Sequence, residues 1–200
     1  MKSMVVVAGS HRRNSESRRI AEVAVRLTTE NLPDWTAKVV DLAEAPLPWW
    51  DETLRDPNSE ASRAWRPCSQ MLGEADALVV VTPEWSGMAP PAVKNFFLLC
   101  AQGELAHKPG LIVAISGGMG GAYPVAELRS SSYKNTRICF IPDHLILRGV
   151  SHQFNGGTAT DESVRRRFVY SLRVLGAYAE ALGAVRRAGV IDLATYPFGL

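Results

Sequence analysis

Three short apolar runs constrain this chain most: residues 4–8 (MVVVA), 77–81 (ALVVV) and 111–115 (LIVAI). Each is rich in branched aliphatic side chains, bounded by turn residues and free of polar alternation. A strand with one wet face alternates; a continuous apolar run predicts a strand covered on both faces, as in a parallel sheet. Weaker runs at 36–42 (TAKVVDL) and 137–141 (RICFI) bring the expected strands to five.

Helical patterns lie between them. Residues 16–29 place Ile20, Val23, Ala24 and Leu27 on one helical face. Residues 59–72 suit a second helix, with Pro67 expected to interrupt or kink it. Residues 91–101 open on a proline suited to a first turn and are apolar almost all round. Residues 122–132 predict a fourth helix and 161–182 a long amphipathic fifth, capped by Thr160 or Asp161 and stopped at Gly183. Strand alternating with helix predicts an α/β, doubly wound parallel sheet with helices on both faces. At 200 residues the chain is expected to form a single domain, 1–200. No packing is predicted for 43–58 or for a tail at 184–200.

Charge and cysteine usage narrow the function classes. Twenty-two Lys and Arg against 20 Asp and Glu give a formal charge of +2, with no footprint for nucleic acid or a membrane surface. The apolar stretch near the N-terminus is shorter than the roughly 7–15 residues of a secretory leader, and no run reaches the ~18–20 apolar residues of a membrane span. Cys68, Cys100 and Cys139 form no CxxC pair, which predicts reduced thiols in a cytoplasmic protein. His11, His107, His144 and His152 lack metal-ligand spacing and are read as surface or turn residues, so no metal is expected. Asp143–His144 is read as a turn, Arg165–Arg167 and Arg186–Arg187 as solvated helix faces, and Trp49–Trp50 as packing residues ahead of a place in the acceptor pocket or a subunit contact.

In an open α/β sheet, ligands sit beyond the carboxyl ends of the strands. After the first strand comes GSHRRNSES (9–17), which gathers hydroxyls, arginines and a helix start. Unsatisfied N–H groups and the helix dipole favour an anion there, and an arginine can hold a phosphate by two hydrogen bonds. The loop is neither GxGxxG nor GxxxxGK[ST], which excludes the dinucleotide fingerprint and the nucleotide-hydrolysing P-loop. After the third strand, TPEWSGMAPPAVKN (82–95) can lay backbone amides and a ring edge against a flat ligand. After the fourth, SGGMGG (116–121) removes side chains where something must approach the backbone.

Together the three segments resemble the NADPH-dependent FMN reductase family. Its first loop, roughly GSxRxxSxN, is matched by Gly9, Ser10, Arg12 and Ser15, with Ser17 in place of asparagine. Its second, roughly PEYNxxxPxxxKN, is matched by Pro83, Glu84, Pro90, Lys94 and Asn95, with Trp85 and Ser86 replacing tyrosine and asparagine. Its third, SxGxxGG, is matched by Ser116, Gly118 and Gly121. The resemblance covers about residues 1–148.

The resemblance implies a flavodoxin-like sheet of order 2-1-3-4-5, bound FMN, and NADPH or NADH as co-substrate. Electrons would pass in two stages to a small acceptor: a quinone, free flavin, azo compound or metal oxyanion. The flavin phosphate would lie on Ser10, Arg12, Asn14, Ser15 and Ser17. Its ring and ribityl chain would lie on Pro83, Glu84, Trp85, Ser86 and Gly87, closed by Ser116, Gly117, Gly118 and Gly121. No acid, base or nucleophile of the protein is required, so no catalytic residue is expected. The 91–101 helix would lie in a homodimer or homotetramer interface, with Leu98 where relatives carry an acid. Two other readings stay open: a flavodoxin-type electron carrier and a flavin-free regulatory protein.

Overall fold

The computed structural model describes residues 1–44, 47–155 and 159–197, with side chains of 159 and 160 excepted. Five strands, β1 (Lys2–Ala8), β2 (Trp35–Asp41), β3 (Ala77–Pro83), β4 (Pro109–Ser116) and β5 (Cys139–Arg148), form one parallel sheet ordered β2-β1-β3-β4-β5. The helices are α1 (Glu16–Asn31), α2 (Glu60–Glu74), α3 (Pro91–Leu99), α4 (Ala122–Ser131) and α5 (Ala159–Arg187). The flavodoxin-like order expected from the sequence is the one observed.

Strand periodicity explains why the runs are continuous. Successive side chains point to opposite faces, so Met4, Val6 and Ala8 join a core under α1 and α5 while Val5 and Val7 join one under α2, α3 and α4. Every residue of β3 is buried. Both faces are therefore apolar, as two-sided coverage demands.

Four local expectations are corrected. Pro67 does not break α2, which runs unbroken through it. The proline sits on the exposed face, and burial of Trp65, Cys68 and Leu72 on the other outweighs the ~3 kcal/mol interior penalty. β5 does not stop at 141 but continues to Arg148, so Asp143–His144 is strand rather than turn. A register shift between Gly110 and Ile112 accommodates Pro142, and the Arg129 guanidinium gathers the carbonyls of Ile141, Pro142 and Asp143 at 2.7, 3.1 and 3.2 Å. Gly183 does not end α5. The helix runs to Arg187, whose neighbour Arg186 donates to the His107 carbonyl at 2.9 Å, and the chain turns at Gly189 with φ 72°. Finally, Arg165 pairs with Glu30 and Arg167 with Asp143, so those arginines are not merely solvated.

Asp161 lies inside α5 and accepts from the Phe154 N–H at 2.8 Å; the other expected cap, Thr160, falls outside the described side chains. α5 is long and apolar enough to cross a membrane by composition. Its Phe168, Leu172, Leu175 and Ala179 are instead buried against the sheet, as a core helix requires.

Candidate functional site

The loops after β1, β3 and β4 converge at the carboxyl edge of three adjacent strands. In the β1–α1 loop, Gly9 donates to the Val81 carbonyl at 2.8 Å, and a Cβ there would fall 2.5 Å from the Val93 Cγ2. Only glycine fits between β3 and α3 at this exit. Ser10 is buried, and its hydroxyl accepts from the Arg12 N–H at 3.1 Å. Asn14 takes a left-handed φ of 51°, which asparagine tolerates. Ser15 caps α1, its Oγ accepting from Arg18 N at 3.2 Å.

Two observations give this loop an anion's requirements. Ser17 Oγ is buried and has no hydrogen-bond partner, while the first-turn N–H groups of α1 have no acceptor within the helix. The loop's charges also divide unequally. Arg18 is matched by Glu22, Asp41 and Glu44, and Arg19 by Glu16. Arg12 and Arg13 are exposed and form no ion pair among the described residues.

In the β3–α3 loop, Trp85 and Met88 exchange N–H···O bonds of 3.0 Å each. Ser86 and Gly87 between them have φ of 50° and 75°, the two left-handed centres of a tight hairpin turn. Their N–H groups take no part in the Trp85–Met88 pairing. Trp85 packs edge-on to His11 with ring centroids 4.8 Å apart, joining this loop to the first. Pro83 ends β3 opposite Ile115.

Glu84 joins the second loop to the third. Its N–H donates to the Ile115 carbonyl at 3.0 Å, and its Oε2 accepts from the Gly121 N–H at 2.6 Å. A Cβ at Gly120 would sit 2.4 Å from Glu84 Oε1, so glycine is what lets the carboxylate approach. Ser116 Oγ accepts from Gly118 N at 3.2 Å, and Gly118 O accepts from Gly149 N at 3.0 Å. Nothing lies within 4 Å of where a Cβ on Gly117 or Gly118 would stand, so this backbone faces open space.

The residues of the KN pair brace the site from behind. Lys94 Nζ lies 3.0 Å from Glu127 Oε1, and Glu127 Oε2 accepts from Ala89 N at 2.7 Å. Burial alone would raise the Glu127 carboxyl, but the Ala89 N–H and the Lys94 ammonium more than offset it and hold it below its usual value. Asn95 accepts from Trp50 N at 2.8 Å and donates to Pro48 O at 3.0 Å, pinning the 47–50 segment to α3.

That segment departs from expectation. Trp49 is 68% exposed and Trp50 44%, so neither is a packing residue. Trp49 instead lines a cavity of about 210 Å³ with His11, Leu42, Leu47, Ala92 and Asn95. Trp50 lines a larger groove of about 740 Å³ with Leu54, Phe97, Leu98 and Leu128, which meets the three motif segments only at Lys94. His11, Trp49, Asn95 and Glu127 are the neighbours that sequence reasoning did not assign to the site. Of these only Asn95 carried a signal, as a motif match.

The residues fit FMN. An orphaned hydroxyl and two guanidinium groups without an ion pair among the described residues suit a phosphate, and an open glycine backbone two strands away suits a flat ring. The sequence pattern of the NADPH-dependent FMN reductase family matches residues 2–152. A 2-hydroxy-1,4-benzoquinone reductase of Burkholderia sp is 27% identical over 169 residues, which cover 82% of this chain and 88% of that protein. An NADPH azoreductase of Bacillus sp. (strain OY1-2) is 25% identical over 152 residues, covering 75% and 79%. The solved structure of FerB, a flavoenzyme NAD(P)H:(acceptor) oxidoreductase from Paracoccus denitrificans, aligns with a TM-score of 0.68 at 19% identity over 92% of this chain and 98% of its own, a likeness of fold. With its loops, fold and sequence in agreement, the chain belongs to the NADPH-dependent FMN reductase family and is an NAD(P)H-dependent flavin oxidoreductase.

Proposed function

We propose that the three loops hold one FMN: phosphate on Ser10, Arg12, Asn14, Ser15 and Ser17, ring and ribityl chain along Pro83–Gly87, and the far side closed by Ser116, Gly117, Gly118 and Gly121. The observation that carries this is the buried, partnerless Ser17 hydroxyl at the start of α1, in a segment whose Arg12 and Arg13 form no ion pair among the described residues. Bound FMN supplies the two-electron chemistry between the nicotinamide nucleotide and the acceptor. The protein's part is placement and electrostatics. The α1 N-terminus and Arg12 neutralise the phosphate. The turn amides of Ser86 and Gly87 can donate to the ring where negative charge develops. Glu84 contributes by fixing the second and third loops to each other, its carboxylate being engaged by Gly121.

The acceptor is a small planar aromatic, quinones first and azo compounds or free flavin next; metal oxyanions are the remaining class. Met88 is 51%, Met119 81% and Tyr123 68% exposed around the loops, and Tyr123 Cδ2 lies 3.9 Å from the Cβ position of Gly87. Such flat, polarizable surfaces suit an aromatic guest. The relatives named as quinone and azo reductases support the same classes.

We further propose that the chain acts as one domain, as a homodimer or homotetramer, in the cytoplasm. Burial within the subunit accounts for Val93, Phe96, Phe97 and Leu99 of α3, leaving Leu98 53% exposed at the larger groove. A second copy covering Leu98 would bury that groove, and light scattering on Leu98→Arg, expected to yield monomer, tests it.

The functional reading is tested by one anaerobic titration. FMN-loaded protein should lose its visible flavin absorbance on addition of NADPH or NADH and regain it with a benzoquinone. Protein that ignores added FMN refutes the site, and a flavin reduced only by another protein would mark an electron carrier.

A further inference from the structure

Arg148 stands at the last position of β5, opposite Ser116 in the β4–β5 register. Three main-chain contacts fix it. Its Nε donates to the Met119 carbonyl at 2.6 Å, the next residue's N–H donates to Gly118 O at 3.0 Å, and its own carbonyl accepts from Gln153 Nε2 at 3.4 Å. Gly149 then turns the chain away with φ 56°. The side chain is exposed and has no carboxylate within ion-pair distance among the described residues. The guanidinium charge is delocalised over all three nitrogens, and among the described residues neither terminal nitrogen has a hydrogen-bond partner.

The position sets it apart from the first loop. β5 is three strand intervals from β1, about 14 Å at ~4.8 Å each, which leaves room for a second phosphate position. The loop that follows its partner Ser116 leaves open space at the Cβ positions of Gly117 and Gly118. An arginine whose Nε is already tethered loses little further freedom on binding, which favours bidentate recognition of a phosphate.

We propose that Arg148 binds a phosphate group of the nicotinamide nucleotide, at the rim of the site opposite the flavin phosphate. This rests on the FMN reading above, and it makes Arg148 a binding and specificity residue for the reductant. The glycine loop would lie between Arg148 and the flavin, so that nucleotide and flavin are read by different arginines.

The test uses FMN-loaded protein with Arg148→Gln, which keeps a donor for Met119 but loses the charge, and Arg148→Lys, which keeps the charge but loses that donor. FMN affinity is measured by flavin fluorescence, and KM for NADPH and NADH with a benzoquinone as acceptor. Arg148→Gln should raise the nucleotide KM about tenfold or more and flatten its dependence on salt, with FMN affinity within about twofold of wild type. Arg148→Lys should recover most of the loss. A rise confined to NADPH supports contact with the 2′-phosphate; a rise shared by NADH supports contact with the pyrophosphate. An unchanged KM in Arg148→Gln overturns the proposal. So does an equal loss in Arg148→Lys, which would make the side chain only a tether, or a loss of FMN affinity, which would move it to the flavin. Wild-type protein that neither binds FMN nor is reduced by either nucleotide would refute the functional reading itself, before any variant is compared.

Discussion

The Glu84 carboxylate accepts the Gly121 N–H at 2.6 Å, which makes the loops after β3 and β4 a single unit. A charge-assisted bond of this kind contributes about 1.5–3 kcal/mol. Glu84→Ala should therefore lower stability by that order and weaken FMN binding about tenfold, since the ring would face two loops that no longer move together. Gly120→Ala should have a similar effect, because its methyl would occupy the carboxylate's place at 2.4 Å. Chemical denaturation and FMN titration on both variants check this.

Among the described residues Arg12 has no carboxylate to neutralise it, and it precedes the α1 N-terminus by a few residues. Arg12→Ala should weaken FMN binding by roughly 10–100-fold through loss of a charged phosphate contact, while leaving thermal stability of the flavin-free protein nearly unchanged. Equilibrium dialysis against FMN measures the first and calorimetry the second.

Ser86 occupies the first left-handed position of the hairpin turn, φ 50°, ahead of Gly87. Asn-Gly is the pair this turn prefers, and a non-asparagine side chain in that region costs about 1–2 kcal/mol. Ser86→Asn should recover part of this, a rise of about 1–3 °C in Tm for a chain of this size. A fall in Tm would show that the serine hydroxyl has a role beyond the turn.

Two ionisable groups, Lys108 and Glu127, make stability rise with pH in two separate windows. Burial, reinforced by Arg186, pushes the Lys108 ammonium down to about 8 from its usual 10.5, though it donates to the carbonyls of Leu72 and Gly73 at 2.7 and 2.6 Å. Between those values the unfolded chain holds a proton that the folded chain releases, so stability rises with pH across the window. Against a Lys108→Met control, wild type should gain relative stability from pH 8 to 10.5. Glu127 acts in the same sense at acid pH. Its carboxyl titrates below the usual 4.5 in the folded state, so its contribution is present at neutral pH and is lost as pH falls through that lowered value. Glu127→Gln should remove this part of the acid dependence. Urea midpoints across pH report both.

The central strands were legible because β1, β3 and β4 are buried on both faces, leaving no polar residue to blur the pattern. The extension of β5 beyond 141 was not, because Pro142 and Asp143 break its run. What carries the strand past them is distant: the Arg129 clamp on three carbonyls, and Ser171 Oγ donating to Asp143 Oδ2 at 2.6 Å. The same division holds at the site. The loops were readable from composition and spacing, since a phosphate grip needs hydroxyls and arginines near a helix start. The functions of Glu84, Lys94 and Asn95 were not, because each acts on a partner more than 30 residues away. Trp49 and Trp50 looked like core residues by type, and only the tertiary fold leaves them exposed.

The central claim is where the flavin lies, and a crystal structure of the FMN complex measures that most directly. The account predicts phosphate oxygens within hydrogen-bond distance of Ser17 Oγ and the Arg12 guanidinium, with the ring against Trp85–Gly87 and the backbone of Gly117–Gly118. Flavin density seated in the groove lined by Trp50, Leu98 and Leu128, or anywhere away from the three loops, would contradict it.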